Sequence, residues 1–216
     1  LITYMRTDSK RTSPVAQAEA SKFLHENYGA EYAAKSQRHF KNQEDAQDAH
    51  EAIRPTSVYR TPESLKKVLT TEQYRLYKLI WSRFLASEMT AAVYDTVRAD
   101  IVQNGVIFRT TGSKLNFAGF TKVYDNQQEK NVELPDLNEG DKVKMEKSDN
   151  KQHFTLPPAR YTEASLVRAL EENGVGRPST YAPTIDTIQR RYYVKLEGRS
   201  IVPTELGEIV DSLIEE

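Results

Sequence analysis

The sequence contains no cysteine. That excludes a disulfide-stapled secreted module, a zinc ribbon and a cysteine redox centre. Histidine is scarce as well, and His25, His39, His50 and His153 are too scattered along the chain to suggest a local metal site. Any bound metal would need oxygen ligands. No apolar run approaches the roughly 20 residues of a membrane-spanning helix, and no basic-then-apolar leader opens the chain. The sequence therefore reads as soluble and unexported, with no membrane partner. An excess of charge of one sign is also missing, since 30 Lys and Arg stand against 31 Asp and Glu. This balance argues against a polycation that coats nucleic acid, but it leaves local basic faces open. There is no internal repeat, no low-complexity tract and no glycine-rich phosphate loop.

What is present is a chain of 216 residues, long enough to bury roughly 70% of its unfolded surface and to form one large domain or two to three small ones. It begins at Leu1, without an initiator Met, in the strand-like run Leu1-Ile2-Thr3-Tyr4-Met5. We expect it to be part of a longer protein.

The apolar pattern divides the chain into three. Residues 1–90 read as mainly helical. Ser13 is expected to cap a helix that starts at Pro14 and stops at Gly29, with Val15, Ala16, Ala20, Phe23, Leu24 and Tyr28 at helical spacing. The polar stretch 35–48 reads as loop, and 49–54 as a short helix ended by Pro55. Thr61-Pro62-Glu63 is a second capped start. Thr71 opens a long helix with a buried stripe of Leu76, Leu79, Ile80, Phe84, Leu85 and Met89. In residues 91–157 the apolar residues alternate, as in Val97, Ala99 and Ile101. Asn104-Gly105 is the strongest hairpin signal. Further turns are expected at Gly112, Gly119, Asp125-Asn126 and Glu139-Gly140, which gives an antiparallel β domain without catalytic constellations. In residues 158–216, helix, glycine turn, helix, hairpin and helix follow one another, with caps at Thr162 and Thr204. That layout is winged-helix-like, and in such units the second helix and the wing contact nucleic acid.

Two clusters could carry chemistry. If residues 2–6 are extended, Tyr4 and Arg6 share a face. A phenol is a weak nucleophile at neutral pH unless a cation or base activates it, and an arginine can stabilise charge on a transferring phosphoryl group. The plainer reading is an edge-strand tyrosine beside a surface charge. In the second cluster, His50 and Arg54 would share a helix face, as a proton-transfer group and a phosphate fork. The plainer reading of His50 is a structural hydrogen-bonding residue. At the second helix of the last segment, Arg177, Ser179 and Thr180 suit a phosphate, or Ser179 and Thr180 are caps. Arg190-Arg191 is either a nucleic-acid contact or a complement to the helix C-terminus.

Three segments shift this weighing. Residues 1–9, with Tyr4 and Arg6, resemble the active-site tyrosine motif of bacterial DNA topoisomerase I, a type IA family. Residues 49–56 resemble its second core motif, and residues 163–182, from Glu163 through Arg177-Pro178-Ser179-Thr180 to Ala182, resemble a third in its DNA-binding domain. They occur in the family's order over essentially the whole chain. Met5 resembles the topoisomerase I branch, because the topoisomerase III branch usually has proline there.

The resemblance implies a multidomain α and β fold. A helical domain over 1–90 carries the active-site tyrosine, an antiparallel β arch or hinge domain covers 91–157, and a winged-helix-like, CAP-like DNA-binding segment covers 158–216. It implies transient cleavage of single-stranded DNA through a 5′-phosphotyrosyl link, strand passage and religation, with ATP-independent relaxation of negatively supercoiled DNA by the intact enzyme. Tyr4, Arg6 and His50 are the implied catalytic residues. Thr3, Arg54, Arg168, Arg177, Ser179 and Thr180 are the implied DNA contacts. Magnesium belongs to an acidic Toprim domain that this sequence lacks, as it lacks the family's zinc modules, so no metal is expected here. The implied partners are single-stranded and negatively supercoiled DNA and the missing Toprim half of the polypeptide, in a cytoplasmic, nucleoid-associated setting. The chain alone is not expected to relax DNA. The alternative is a non-catalytic single-stranded DNA-binding or structural module.

Overall fold

The computed structural model describes residues 1–5, 9–36, 50–124, 132 and 134–215. It combines helices with antiparallel strand pairs and divides into two compact units, Leu1–Ser148 and Asp149–Glu216. No described helix is long and apolar enough to cross a membrane.

In the first unit, helix α1 spans Pro14–Asn27. Ser13 Oγ accepts the Ala16 N–H at 3.3 Å, and Pro14 occupies the first helical position, where its missing N–H is harmless. Gly29, at φ 108°, turns the chain away after the helix. Thr61 caps the single-turn helix α2, Pro62–Leu65. Thr70 and Gln73 cap each other's backbone at the start of α3, Thr71–Ser87.

The core lies between α1 and α3: Ala16, Ala20, Phe23 and Leu24 pack with Val58, Tyr77, Trp81, Phe84, Leu85 and Met89. Phe23 stands edge-on to both Trp81, at 5.9 Å between centroids, and Tyr59, at 5.3 Å. The expected Phe84, Leu85 and Met89 are buried, but the first half of the stripe is rotated from the one expected. Leu76 and Leu79 are 57% and 46% exposed, whereas Tyr77, Trp81 and Ser82 face inward. The aromatics can be buried because their polar ends are satisfied. The Tyr77 hydroxyl donates to the Arg60 carbonyl at 2.7 Å, and Trp81 Nε1 donates to the Val58 carbonyl at 2.9 Å.

Strands β1, Val93–Gln103, and β2, Val106–Phe117, form an antiparallel hairpin. Its turn is Asn104-Gly105, with φ 52° and 78°, as the dipeptide predicts. Among the described residues of 91–157 this hairpin is the regular β structure. Gly112, expected in a turn, lies inside β2. A Cβ there would meet Leu134 Cγ at 2.6 Å and the Val132 carbonyl at 2.7 Å, so glycine serves close approach of a neighbouring segment. The turn at Glu139-Gly140 is present. Asp125-Asn126 lies outside the described residues, as does most of the polar stretch 35–48.

In the second unit, Thr162 caps α4, Glu163–Glu172, and Arg177 precedes α5, Pro178–Arg190. The hairpin of β3, Val194–Glu197, and β4, Ser200–Pro203, follows, then α6, Glu205–Glu215. The Ile201 N–H donates to the Tyr161 carbonyl at 2.7 Å, which ties the segment before α4 to β4. Thr204 Oγ1 accepts the Gly207 N–H at 3.1 Å and the Thr204 N–H donates to the Tyr193 carbonyl at 3.0 Å, so Thr204 caps α6 and ties its start to the residue before β3.

Candidate active site and DNA-contacting helix

In the first unit the chain start is laid against residues 52–56. The Thr3 N–H donates to the Arg54 carbonyl at 2.9 Å, the Thr56 N–H donates to the Leu1 carbonyl at 3.0 Å, and Ile2 bridges Pro55. Thr3 adds its side chain to this ladder. Its hydroxyl donates to the Ala52 carbonyl at 2.9 Å and accepts the Arg54 N–H at 3.0 Å. From the other side the Ala52 N–H donates to the Arg11 carbonyl at 2.7 Å.

This pairing replaces the expected short helix. Residues 50–54 are not helical, because their backbone groups are spent on Thr3 and Arg11 rather than on an i to i−4 ladder. Ala49 lies outside the described residues. His50 and Arg54 are therefore not brought together by a helix face.

Alternation along extended backbone places neighbouring side chains on opposite faces. Thr3 is consumed inward, and Tyr4 is 75% exposed. The Tyr4 and His50 rings lie 6.4 Å apart between centroids at an interplanar angle of 30°. The structure thus joins two of the expected catalytic residues, one from each of two motifs distant in sequence. Arg6, the third, lies outside the described residues.

Arg54 is occupied inside the protein. Its Nε and Nη2 reach Glu51 Oε2 at 2.9 and 2.8 Å, Nη1 donates to the Pro55 carbonyl at 3.1 Å, and Nη2 reaches Ser13 Oγ at 3.4 Å. With its side chain only 13% exposed, the guanidinium clamps the motif to the start of α1. Glu51 was not singled out from the sequence, and Ser13 only as the cap of α1. The available signal was an acid three residues before an arginine, which reads as a helix pair until the helix is seen to be absent.

In the second unit Arg168 is exposed and pairs with Glu172 at 2.9 Å along α4. At the start of α5, Thr180 is a cap: its hydroxyl accepts the Arg177 N–H at 2.8 Å and donates to the Arg177 carbonyl at 3.0 Å. Pro178 has no N–H, and those of Thr180 and Tyr181 return to the Arg177 carbonyl at 2.8 and 3.2 Å. The Ser179 N–H is left at the helix start, flanked by the exposed side chains of Arg177 and Ser179. Such a terminus attracts an anion. In the β3–β4 hairpin, Lys195 is held by Glu197 at 2.8 Å, which keeps the Glu197 carboxyl below the usual carboxylate range. Arg190 pairs with Asp186 at 3.5 Å.

The sequence matches the DNA topoisomerase family model over residues 1–216. The structure is similar to full-length topoisomerase I from Thermotoga maritima, at 38% identity and a TM-score of 0.82, covering 99% of this chain. The chain spans 34% of the length of that relative. With an exposed tyrosine stacked on a histidine, in a sequence that matches from end to end, the chain belongs to the bacterial type IA DNA topoisomerase family.

Proposed function

We propose that this chain carries the nucleophile of a type IA topoisomerase. The observation that carries the reading is Tyr4: an exposed phenol on backbone fixed by Thr3 to residues 52–54, with its ring stacked on His50. In the reaction Tyr4 Oη bonds to the phosphorus of a phosphodiester in single-stranded DNA. The P–O3′ bond breaks, the DNA keeps a 5′-phosphotyrosyl link, and the 3′ oxygen leaves as a hydroxyl. The phenolic proton is lost and one proton is gained by O3′, so the balance closes without a co-reactant. After strand passage the 3′-hydroxyl attacks the same phosphorus and releases Tyr4. One phosphoester is exchanged for another, so no ATP is consumed, and negative supercoiling drives relaxation.

In this reading His50 assists proton movement or holds the phosphate, and Arg6 stabilises charge on the equatorial oxygens. Thr3 and Arg54 act on DNA through the backbone they position. Arg168, Arg177, Ser179 and Thr180 belong to the winged-helix-like segment 158–216, which grips the strand upstream of the break. Residues 1–90 are the part that lifts to open the gate, and 91–157 are the arch or hinge. Among the described residues no group of three or more His, Cys, Asp or Glu could hold a metal ion.

The test is covalent trapping on a single-stranded oligonucleotide, with a Toprim segment from the same family added in trans. An adduct formed by the parent chain and lost in Tyr4→Phe is the expected result. An adduct that survives Tyr4→Phe removes Tyr4 as nucleophile. Tight single-strand binding with no adduct under any condition favours the non-catalytic module.

A further inference from the structure

The second unit contains the same helix-ending turn twice. After α4, the Gly174 N–H donates to the Glu171 carbonyl at 3.1 Å and the Val175 N–H to the Leu170 carbonyl at 2.9 Å. After α5, the Tyr192 N–H donates to the Gln189 carbonyl at 2.9 Å and the Tyr193 N–H to the Ile188 carbonyl at 3.0 Å. Both are Schellman turns, which place one residue in the left-handed region. At the first turn that residue is Gly174, at φ 68°. At the second it is Tyr192, at φ 57°. Glycine adopts this conformation without strain, whereas a tyrosine there is strained by its Cβ.

Among the described residues no packing of the Tyr192 side chain offsets that strain. The Tyr192 ring is 75% exposed, and among the described residues it stacks on no other ring and its hydroxyl makes no hydrogen bond. Its backbone is pinned on both sides, by Gln189 and by Thr204 Oγ1, which donates to the Tyr192 carbonyl at 2.5 Å. The fold therefore holds the Tyr192 backbone in place and presents its ring to solvent at the junction between α5 and the β3–β4 hairpin. Arg190 and Arg191 precede it, and Arg199 lies in the hairpin turn. A strained residue with no internal packing marks a site of function. An exposed ring that follows two arginines in sequence supplies both elements of single-strand binding, an aromatic face for an unpaired base and cations for phosphate.

We infer that Tyr192 is a stacking platform for one base of the bound single strand, positioning the DNA where α5 meets the hairpin. The inference rests on the proposed DNA-binding role of this unit. Its test compares the parent chain with Tyr192→Gly and Tyr192→Phe, in thermal unfolding and in binding a labelled single-stranded oligonucleotide of mixed sequence. Tyr192→Gly should raise the unfolding midpoint of the unit, since strain is relieved, and weaken binding about 5- to 100-fold. The slope of affinity against salt should stay unchanged, because stacking releases no counterions. Tyr192→Phe should match the parent in both. Tyr192→Gly binding as tightly as the parent overturns the inference while leaving the DNA-binding role intact. A lowered unfolding midpoint also overturns it, because the ring then supports the fold. A parent chain that binds no single strand overturns both readings together.

Discussion

The Tyr4 ring faces the His50 imidazole at 30° with 6.4 Å between centroids. The contact depends on the ladder between residues 1–3 and 52–56, so the histidine reaches the tyrosine through strand pairing.

His50→Ala should therefore slow adduct formation about 10²- to 10⁴-fold, the usual contribution of a positioned proton-transfer group, without unfolding the first unit. If His50→Phe, which keeps a ring against Tyr4 but carries no proton, restores the parent rate, the histidine acts by stacking alone.

Thr3 is an expected DNA contact whose hydroxyl is bonded on both sides to the motif backbone. Thr3→Val keeps the shape and removes these bonds, leaving the part-buried Ala52 carbonyl short of its side-chain donor. The expected loss is about 1–3 kcal/mol, measured by denaturant unfolding, together with slower trapping at Tyr4. Trapping at the parent rate would show that the ladder does not control the nucleophile.

Arg54 gives the clearest separation between a DNA contact and a clamp. With the guanidinium bound to Glu51, Pro55 and Ser13, Arg54→Ala should destabilise the first unit and leave the salt slope of single-strand binding unchanged. Because the pair is partly buried, a double-mutant cycle with Glu51→Gln should show coupling of about 1 kcal/mol or more. A salt slope reduced by about one, with no coupling, returns Arg54 to the phosphate.

The features legible in the sequence are those whose chemistry is local. Ser13-Pro14, Thr61-Pro62, Thr162 and Thr204 cap helices because a hydroxyl three residues from an N–H needs nothing else. Asn104-Gly105 makes its turn because both residues tolerate positive φ. What could not be read depends on partners far along the chain. Residues 50–54 have a helix-like composition but pair with Thr3 and Arg11. The inward face of α3 is chosen by the carbonyls of Val58 and Arg60, which receive Trp81 and Tyr77, so Leu76 and Leu79 are turned out despite their hydrophobicity. Ser179 kept both of its readings, whereas Thr180 makes the two bonds to Arg177 that a cap requires.

Two exposed pairs give pH dependences of opposite sign. The Arg109 guanidinium holds the Asp100 carboxyl below its ordinary value. The contribution to the β1–β2 hairpin is present above the unfolded carboxyl value, near pH 4, and is lost as pH falls through the depressed folded value. Tyr59 donates to Glu26 at 2.8 Å, and this hydrogen bond raises its phenol. That contribution is complete below the unfolded value near pH 10 and is lost as pH rises through the higher folded one. Asp100→Asn should flatten the acid response of the hairpin amide shifts, and Tyr59→Phe the alkaline response of unit stability. Unchanged responses would mean that neither pair matters in solution.

Gly207 tests whether close approach of α6 to β3 holds the second unit together. A Cβ at this position would lie 2.1 Å from the Tyr193 carbonyl oxygen and 2.9 Å from its carbon. The obstacle is backbone, so no side-chain rotation relieves it. That backbone is fixed in turn, since the Tyr193 N–H is tied to Ile188 and its carbonyl accepts from Thr204. Gly207→Ala must push α6 off the hairpin, although alanine favours a helix by about 1 kcal/mol over glycine. Unfolding of the second unit at a clearly lower midpoint is expected. Gly198→Ala, where a Cβ meets nothing within 4 Å but φ is 63°, should cost only the roughly 1–2 kcal/mol of a left-handed residue. If Gly207→Ala proves no more damaging than Gly198→Ala, α6 is not held against β3 in solution.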